Sequence, residues 1–360
     1  MNKYVQFLIV SFLLVLLCAI FTINVRIWNS LENFKQFKST EFYTVKGNQT
    51  YFKINEKRHE SRQILLAVGV LNHLSLKNRR DVIRMTWFKE CQRKTKLVRC
   101  NFFTDSFDGL NQTDVDKIQE ENRQYNDMLF MPIKGGHRFA ERLVWMLQWY
   151  TENYDFQYFL RVDDDYFICM ERLLYELPYR PKSGLYWGYT HCTDNVIRVD
   201  EGWMLLSRDI IDEALSKLDT TLPCHPFGDQ AVALWIKESK LDINWFPDNN
   251  RIVHQATAYN EHQYMFNGFC NVYLAMHGSY QLQMLKYWIL HSDYKEPKRR
   301  YFIPHIPEFT SFCQKNRTFD LNAFWPHVRY MPKRCKDKPE WSISKAKFIG
   351  REEYGQDMIY

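Results

Sequence analysis

The sequence has no block of clustered lysine and arginine, no internal repeat and no low-complexity tract. Its 48 Lys and Arg are spread along the chain against 42 Asp and Glu, leaving a formal charge of +6. Such a scattered balance lacks the electrostatic footprint of a nucleic-acid binder. It suits equally a protein that works near anionic lipid or anionic substrates. Absent too is any Cys-x-x-Cys pair, which argues against a structural zinc ribbon and a thioredoxin-type redox site. What the chain does not lack is core: of 360 residues, 46% are hydrophobic and 16% aromatic. It is therefore not a disordered protein, and a single domain of ~250 residues or two smaller lobes can be built from it.

The N-terminus carries the first positive signal. Residues 4–23 are nearly uncharged, interrupted only by Gln6, Ser11 and Thr22, and match the roughly 20 residues a membrane-spanning helix needs. No small-residue cleavage site follows, so the stretch reads as an uncleaved signal anchor behind a short cytoplasmic tail, residues 1–3. Lys3 and Arg26 flank it almost symmetrically, and orientation has to come from what lies downstream. There, Asn48, Asn111 and Asn316 each begin an Asn-x-Ser/Thr glycan acceptor. Eight cysteines lie beyond the span, an even number that suits an oxidising lumen and leaves their pairing open. Residues 24–60 are polar and poor in apolar periodicity, as in a stem, and residues 61–360 form the expected luminal body.

From residue 64 the texture changes. Short apolar runs ("ILLAVGVL", "KLVRCNFFTD", "DMLFMPI", "FQYFLRV") alternate with helix-length segments over about 100 residues, a pattern that predicts βαβ units and a parallel sheet covered by helices. Ligands of such sheets gather beyond the carboxyl ends of the strands. The fourth run ends in Asp163-Asp164-Asp165. Three adjacent carboxylates repel one another, and burying an unpaired one is costly, so the placement calls for positive charge. Oxygen ligands of this kind suit Mg²⁺ or Mn²⁺. A calcium loop beginning at Asp163 fails, because Ile168 falls where its glycine belongs and Leu174 where its bidentate Glu belongs. A solvated acidic turn, or a helix cap at Asp165, is the plainer alternative.

Five segments, in order, resemble those of the Golgi β-1,3-glycosyltransferase family, which includes β-1,3-galactosyltransferases, β-1,3-N-acetylglucosaminyltransferases and Fringe-like enzymes. They are "VIRMTW" (82–87), "YNDML" (125–129), "VDDDYF" (162–167), "EGWMLLS" (201–207) and "PFGDQAVALWI" (226–236). The resemblance spans roughly residues 64–256. It implies a GT-A-type α/β fold, a Rossmann-like mixed sheet flanked by helices, in a type II Golgi membrane protein. It also implies a Mn²⁺ ion and a UDP-sugar donor, with inverting transfer of Gal, GlcNAc or GalNAc to a hydroxyl of a glycan on glycoprotein or glycolipid. The chain departs from the family at Gly228, where a Glu is usual, and at "KGGHRFAER" (134–142), where Arg142 stands for a Lys. A membrane-tethered binding or chaperone-like protein that keeps the fold without activity is the alternative.

The chemistry assigns expected roles. UDP leaves with clustered negative charge, which a divalent ion stabilises and orients. The resemblance implies Asp165 and His254 as metal ligands, Asp163 as a nucleotide contact and Asp164 as a nucleotide or metal contact. Arg84 and Arg142 are expected at phosphate, where a guanidinium forms forked hydrogen bonds. Asp229, before the helix-like "QAVALWIKES", is expected to take the proton of the attacking hydroxyl; an N-cap is its alternative role.

Overall fold

The computed structural model describes residues 62–192, 197–254, 263–292, 301–313 and 332–340. The expected span 4–23, the stem and two of the three glycan acceptors, Asn48 and Asn316, lie outside them. All the described residues belong to one compact unit, Arg58–Tyr360. Among them no helix is long and apolar enough to cross a membrane.

The first half of this unit follows the alternation of the sequence. Strand β1 (Arg62–Leu71) leads to helices α1 (Lys77–Met85) and α2 (Phe88–Arg93), then β2 (Val98–Thr104), α3 (Gln112–Tyr125), β3 (Met128–Phe130), α4 (Phe139–Asn153) and β4 (Tyr154–Asp163). Local chemistry sets the boundaries. Asn111 caps α3 by accepting the Asp114 N–H at 2.9 Å, and Asn126 ends it in the left-handed region, which Asn tolerates better than most residues. Beyond β4 come β5 (Phe167–Ile168), α5 (Met170–Glu176), β6 (Leu185–Cys192), β7 (Ile197–Ser207), α6 (Arg208–Ser216), β8 (Pro223–Cys224) and α7 (Gly228–Lys237). β9 (Asn244–Pro247), β10 (Ile252–Val253), β11 (Ala275–Met276), α8 (Gln281–Ser292), α9 (Phe309–Phe312) and β12 (Lys333–Arg334) complete the described strands and α-helices.

Seven strands form the main sheet in the order β3-β2-β1-β4-β7-β6-β9. Its pairings are parallel except where β7 runs against both β4 and β6. The sheet is thus mixed and mostly parallel. Its strands are apolar on both faces because both are covered. On one face Leu66, Val68, Val70, Leu160 and Val162 pack with Ile83 and Trp87; on the other Ala67 and Phe159 meet Leu143, Leu147 and Ile211. A smaller sheet, β10-β11-β5, sits at the carboxyl edge and positions residues of the site. All eight cysteines downstream of the expected span are paired, as Cys91–Cys100, Cys169–Cys270, Cys192–Cys313 and Cys224–Cys335.

Candidate active site

β1 pairs with β2 on one side and β4 on the other, so the chain reverses its direction of travel across the sheet between β1 and β4. A crevice opens beyond the carboxyl ends of strands at such a point. Leu71 lies opposite Asp163 in the ladder, and Asn72 and the Asp triplet emerge there together. Antiparallel β7 pairs Trp203 with Val162, which brings Asp200, Glu201 and Gly202 to the same edge. Gly202 leaves room that a side chain would fill: a Cβ there would stand 2.8 Å from the Tyr166 ring and 2.9 Å from Asp200 Oδ1.

β4 ends at Asp163, and the chain turns through Asp164 and Asp165, so the three carboxylates face different surroundings. Asp164 turns inward and is 7% exposed, accepting from Arg79 Nη1 at 2.6 Å and from the Asn72 amide. Burial, with help from Asp165, pushes its carboxyl up to about 6 against the pull of Arg79. Asp163 pairs with Arg161 at 2.9 Å, yet its side chain keeps 37% of its surface open. Asp165 faces His277, with Oδ2 3.4 Å from Nε2. Its backbone is fixed from both sides: Ser279 N–H donates to the Asp165 carbonyl at 2.7 Å, and Trp87 Nε1 donates to that of Tyr166 at 3.1 Å. Asp165 caps no helix, because α5 begins after Cys169.

The small sheet supplies the histidines. Val253 pairs with Met276, and Met276 with Phe167, so the residues that follow β10 and β11 stand side by side. The His254 and His277 rings stack at 5.2 Å, 9° from parallel. His254 Nε2 lies 3.6 Å from Asp200 Oδ2, and His191 Nε2 lies 2.9 Å from the same oxygen. The ligand atoms of His191, Asp200 and His254 all fall within 4.8 Å of one another. Burial works against the Asp200 carboxylate, but the His191 hydrogen bond and the nearby His254 hold it well below the usual range. Burial lowers His254 to about 4. His277 moves the other way, to about 9, because Asp165 outweighs the burial penalty.

Two observations suit a divalent cation here. Asp165 Oδ1 is buried with no hydrogen-bond partner. Glu201 is pushed up to about 8 by burial and by its neighbours Asp229, Asp163 and Asp200. A carboxyl that resists ionisation beside other carboxylates is short of positive charge. Imidazole and carboxylate ligands together match a borderline cation such as Mn²⁺. Of the two expected ligands, His254 belongs to the group whose ligand atoms converge, with His191 and Asp200, whereas Asp165 meets His277, whose ring stacks on His254.

The two expected phosphate arginines are committed elsewhere. Arg84 holds Asp127 through Nε and Nη2, both at 2.8 Å, and Glu121 through Nη1 at 2.6 Å. Arg142 clamps Asp105 at 2.6 and 2.8 Å and donates to the Gly136 carbonyl, bracing the 134–138 loop. Arg79, which sequence reasoning passed over, is the α1 arginine that reaches the triplet. Asp229 lies in the first turn of α7 and is not its cap, which is Phe227. Its Oδ2 accepts from Arg198 Nε at 2.5 Å and its Oδ1 from the Gln230 N–H at 2.8 Å. Asn111, the one described glycan acceptor, is exposed at the start of α3.

Sequence reasoning also missed His191, Asp200, Glu201 and His277. The signal for His191 and Asp200 is the β6–β7 hairpin, whose register sets His191 opposite Arg198. His277 follows a two-residue strand that leaves no periodic trace.

Residues 78–204, from α1 to the middle of β7, match the family model described as Galactosyltransferase. This segment is similar to the galactosyltransferase family. The matched residues include the Asp triplet, His191, Asp200 and Glu201, while Asp229, His254 and His277 lie beyond them. The chain is 28% identical to β-1,3-galactosyltransferase 6 of Mus musculus over 129 residues, which is 34% of this chain and 40% of that protein. It is 34% identical to UDP-GalNAc:β-1,3-N-acetylgalactosaminyltransferase 2 of Danio rerio over 74 residues, 20% of this chain and 15% of that protein. The matched segments thus span well under half the length of either relative. A solved glycosyltransferase involved in glycosylation of the major capsid of PBCV-1 aligns with 61% of this chain and 96% of its own, at 13% identity and a TM-score of 0.38.

Proposed function

We propose that the chain is a metal-dependent, inverting β-1,3-glycosyltransferase of GT-A type, transferring Gal, GlcNAc or GalNAc from a UDP-sugar to a hydroxyl of an acceptor glycan. The observation that carries this reading is the cluster of Asp163, Asp165, Asp200 and three histidines at the point where the sheet reverses, with the aspartates and His191 inside the segment that matches the galactosyltransferase model and His254 and His277 beyond it. Asp165, Asp200, His191, His254 and His277 are the residues that would hold Mn²⁺, which when bound would neutralise charge on the departing diphosphate. Asp163, the most open of the triplet, faces the nucleotide in this reading. Arg79 and Asn72 keep Asp164 fixed, so that its neighbours stay aimed at the edge of the sheet. The luminal Golgi placement behind a single anchor, and an acceptor on glycoprotein or glycolipid, belong to the same proposal. They are supported by the apolar run at 4–23, the glycan acceptors and four disulfides, which form in oxidising compartments.

The test is retention of the detergent-solubilised full chain on UDP-agarose, followed by turnover with a panel of UDP-hexoses. Binding should require Mn²⁺ and vanish with EDTA, and Asp165→Asn should lose it. A wild-type chain that binds UDP yet turns over no donor is instead a binding protein of the same fold. One that ignores both nucleotide and metal ends the transferase reading.

A further inference from the structure

The edge of the main sheet opposite the site is where its parallel strands begin. β1, β2 and β4 are parallel, and β7 runs against both β4 and β6, so β1, β2, β4 and β6 all start at this amino edge. Leu97, 47% exposed, immediately precedes β2, and its carbonyl accepts from the Leu65 and Leu66 N–H groups at 2.9 and 3.0 Å. Tyr179, 64% exposed, ends the single turn Leu177–Tyr179 between α5 and β6, and Gln157 Nε2 of β4 donates to the Lys182 carbonyl just beyond it at 2.7 Å. Phe302, at 74% the most exposed large hydrophobic side chain among the described residues, lies on a segment without regular secondary structure. That segment is fixed to the same corner. Arg180 Nη1 donates to the Pro304 carbonyl at 2.7 Å, and the Tyr175 ring stands 5.4 Å from Tyr301 and 6.0 Å from Tyr179.

A lone exposed apolar side chain is ordinary, but a group of them beside cations marks a contact surface. Lys96 adjoins Leu97, and Lys182 lies just past Tyr179; both are exposed and make no ion pair among the described residues. Lys94, at the end of α2, reaches Glu171 of α5 at 3.7 Å and joins the two halves of the patch. Exposed acids at this edge, Glu152 and Asp155, sit at the junction of α4 with β4, and α4 covers the other face of the sheet. Aromatic rings with basic side chains suit a membrane–water interface, where rings sit at headgroup level and Lys and Arg are drawn to anionic lipid. The chain itself shows which surface is at hand. Residues 1–61, with the apolar run 4–23 among them, join the described unit at Arg62, the start of β1 between the starts of β2 and β4.

We propose that this corner rests on the bilayer that residues 4–23 enter, with Leu97, Tyr179 and Phe302 at headgroup level and Lys96 and Lys182 against anionic headgroups. The proposal rests on the anchor in the function proposed above and not on the transfer chemistry. Its consequence is orientation. β1 is 10 residues long and rises about 3.3 Å per residue, so the carboxyl edge with the Asp cluster opens away from the lipid, about 30 Å along the strand from the surface. That favours an acceptor hydroxyl held well out from the bilayer over one on a sugar joined directly to lipid.

The test uses the full chain reconstituted in vesicles of phosphatidylcholine and phosphatidylserine that carry a lipid-bound quencher. Eight cysteines are paired, so Cys18→Ala leaves an introduced cysteine as the one free thiol for an environment-sensitive fluorophore. Labels at Phe302→Cys and Tyr179→Cys should be quenched, and one at Asp108→Cys, in the exposed loop beyond the carboxyl end of β2, should not. Lys96→Gln and Lys182→Gln should each lower the surface-bound population about fivefold, as should be expected for a single charge near an anionic surface. Phosphatidylcholine alone, or high salt, should have the same direction of effect. Amide exchange of the unlabelled wild type should slow at 94–97 and 301–304 on passing from detergent to vesicles, which checks the result without a substitution. Quenching at 302 and 179 no greater than at 108 would overturn the proposal. So would labels already shielded in detergent in a chain of doubled mass by light scattering, since a second copy would then cover the corner. A chain whose apolar run does not insert fails the anchor reading and takes this proposal with it, whereas an inserted chain with both labels unquenched overturns the proposal alone.

Discussion

At residues 163–165 three like charges coexist because each meets a different neighbour. Asp163 meets Arg161 at the rim, Asp164 meets Arg79 inside, and Asp165 meets His277 across the small sheet. The inward pair is the one on which folding depends most. Removing one partner of a buried ion pair leaves an uncompensated charge and costs about 3–5 kcal/mol, more than the intact pair contributes. Arg79→Met should therefore destabilise the protein by about that amount, and adding Asp164→Asn should recover most of the loss, because the stranded carboxylate is gone. Denaturant unfolding of the two single variants and the double variant measures the coupling. Strictly additive losses would mean that Arg79 matters through packing, including its contact with the Tyr280 ring, and not through the pair.

Helix α1 shows why its arginines could not be assigned from sequence. Arg80 and Arg84 are four residues apart and share a face, on which both bind Glu121 of α3. Arg79 lies about 100° away around the helix and points to Asp164. A string with arginine at 79, 80 and 84 does not say which face meets which neighbour, since that depends on how the helix is rotated against the sheet. The Glu121 latch also makes a pH prediction. Burial alone would raise its carboxyl, but hydrogen bonds and charge from Arg80 and Arg84 outweigh that and hold it below the usual value. A depressed folded value means that the unfolded chain binds the proton first. Its stabilisation is therefore complete above the ordinary Glu value, near 4.5, and is lost as pH falls through the folded one. Glu121→Gln should lower stability at pH 7 and flatten the acid side of the stability curve, while donor KM is unchanged. A variant curve parallel to wild type between neutral pH and pH 3 would show that the latch carries no proton linkage.

Across the whole molecule, what could be read from sequence divides by element length and by strand direction. β1, β2 and β4 are long and apolar because they are buried on both faces, so their alternation with helices revealed the parallel part of the sheet, and the Asp cluster marked its carboxyl edge. The reversed strand β7 and the two-residue strands β5, β10 and β11 carry no such pattern, and Asp200, Glu201 and His277 arrive at the site on or just beyond them. Cysteine number was equally legible and cysteine pairing was not, because pairing is decided by where the chain returns in space. The pairing found closes loops of very different size: 9 residues for Cys91–Cys100 against 111 for Cys224–Cys335. The longer bridge fastens β12 to β8, with Lys333 opposite Cys224, a few residues before α7. If a cross-link acts by restricting the unfolded chain, the longer loop removes more entropy, and the two bridges should differ by about 2 kcal/mol. Replacing Cys224 and Cys335 with Ser should thus cost about 2 kcal/mol more than replacing Cys91 and Cys100, measured by guanidinium unfolding without reductant. Equal losses would show that the bridges act through folded-state packing. Both pairs are buried, so that outcome is a real competitor, and the loop-length difference is what separates the two.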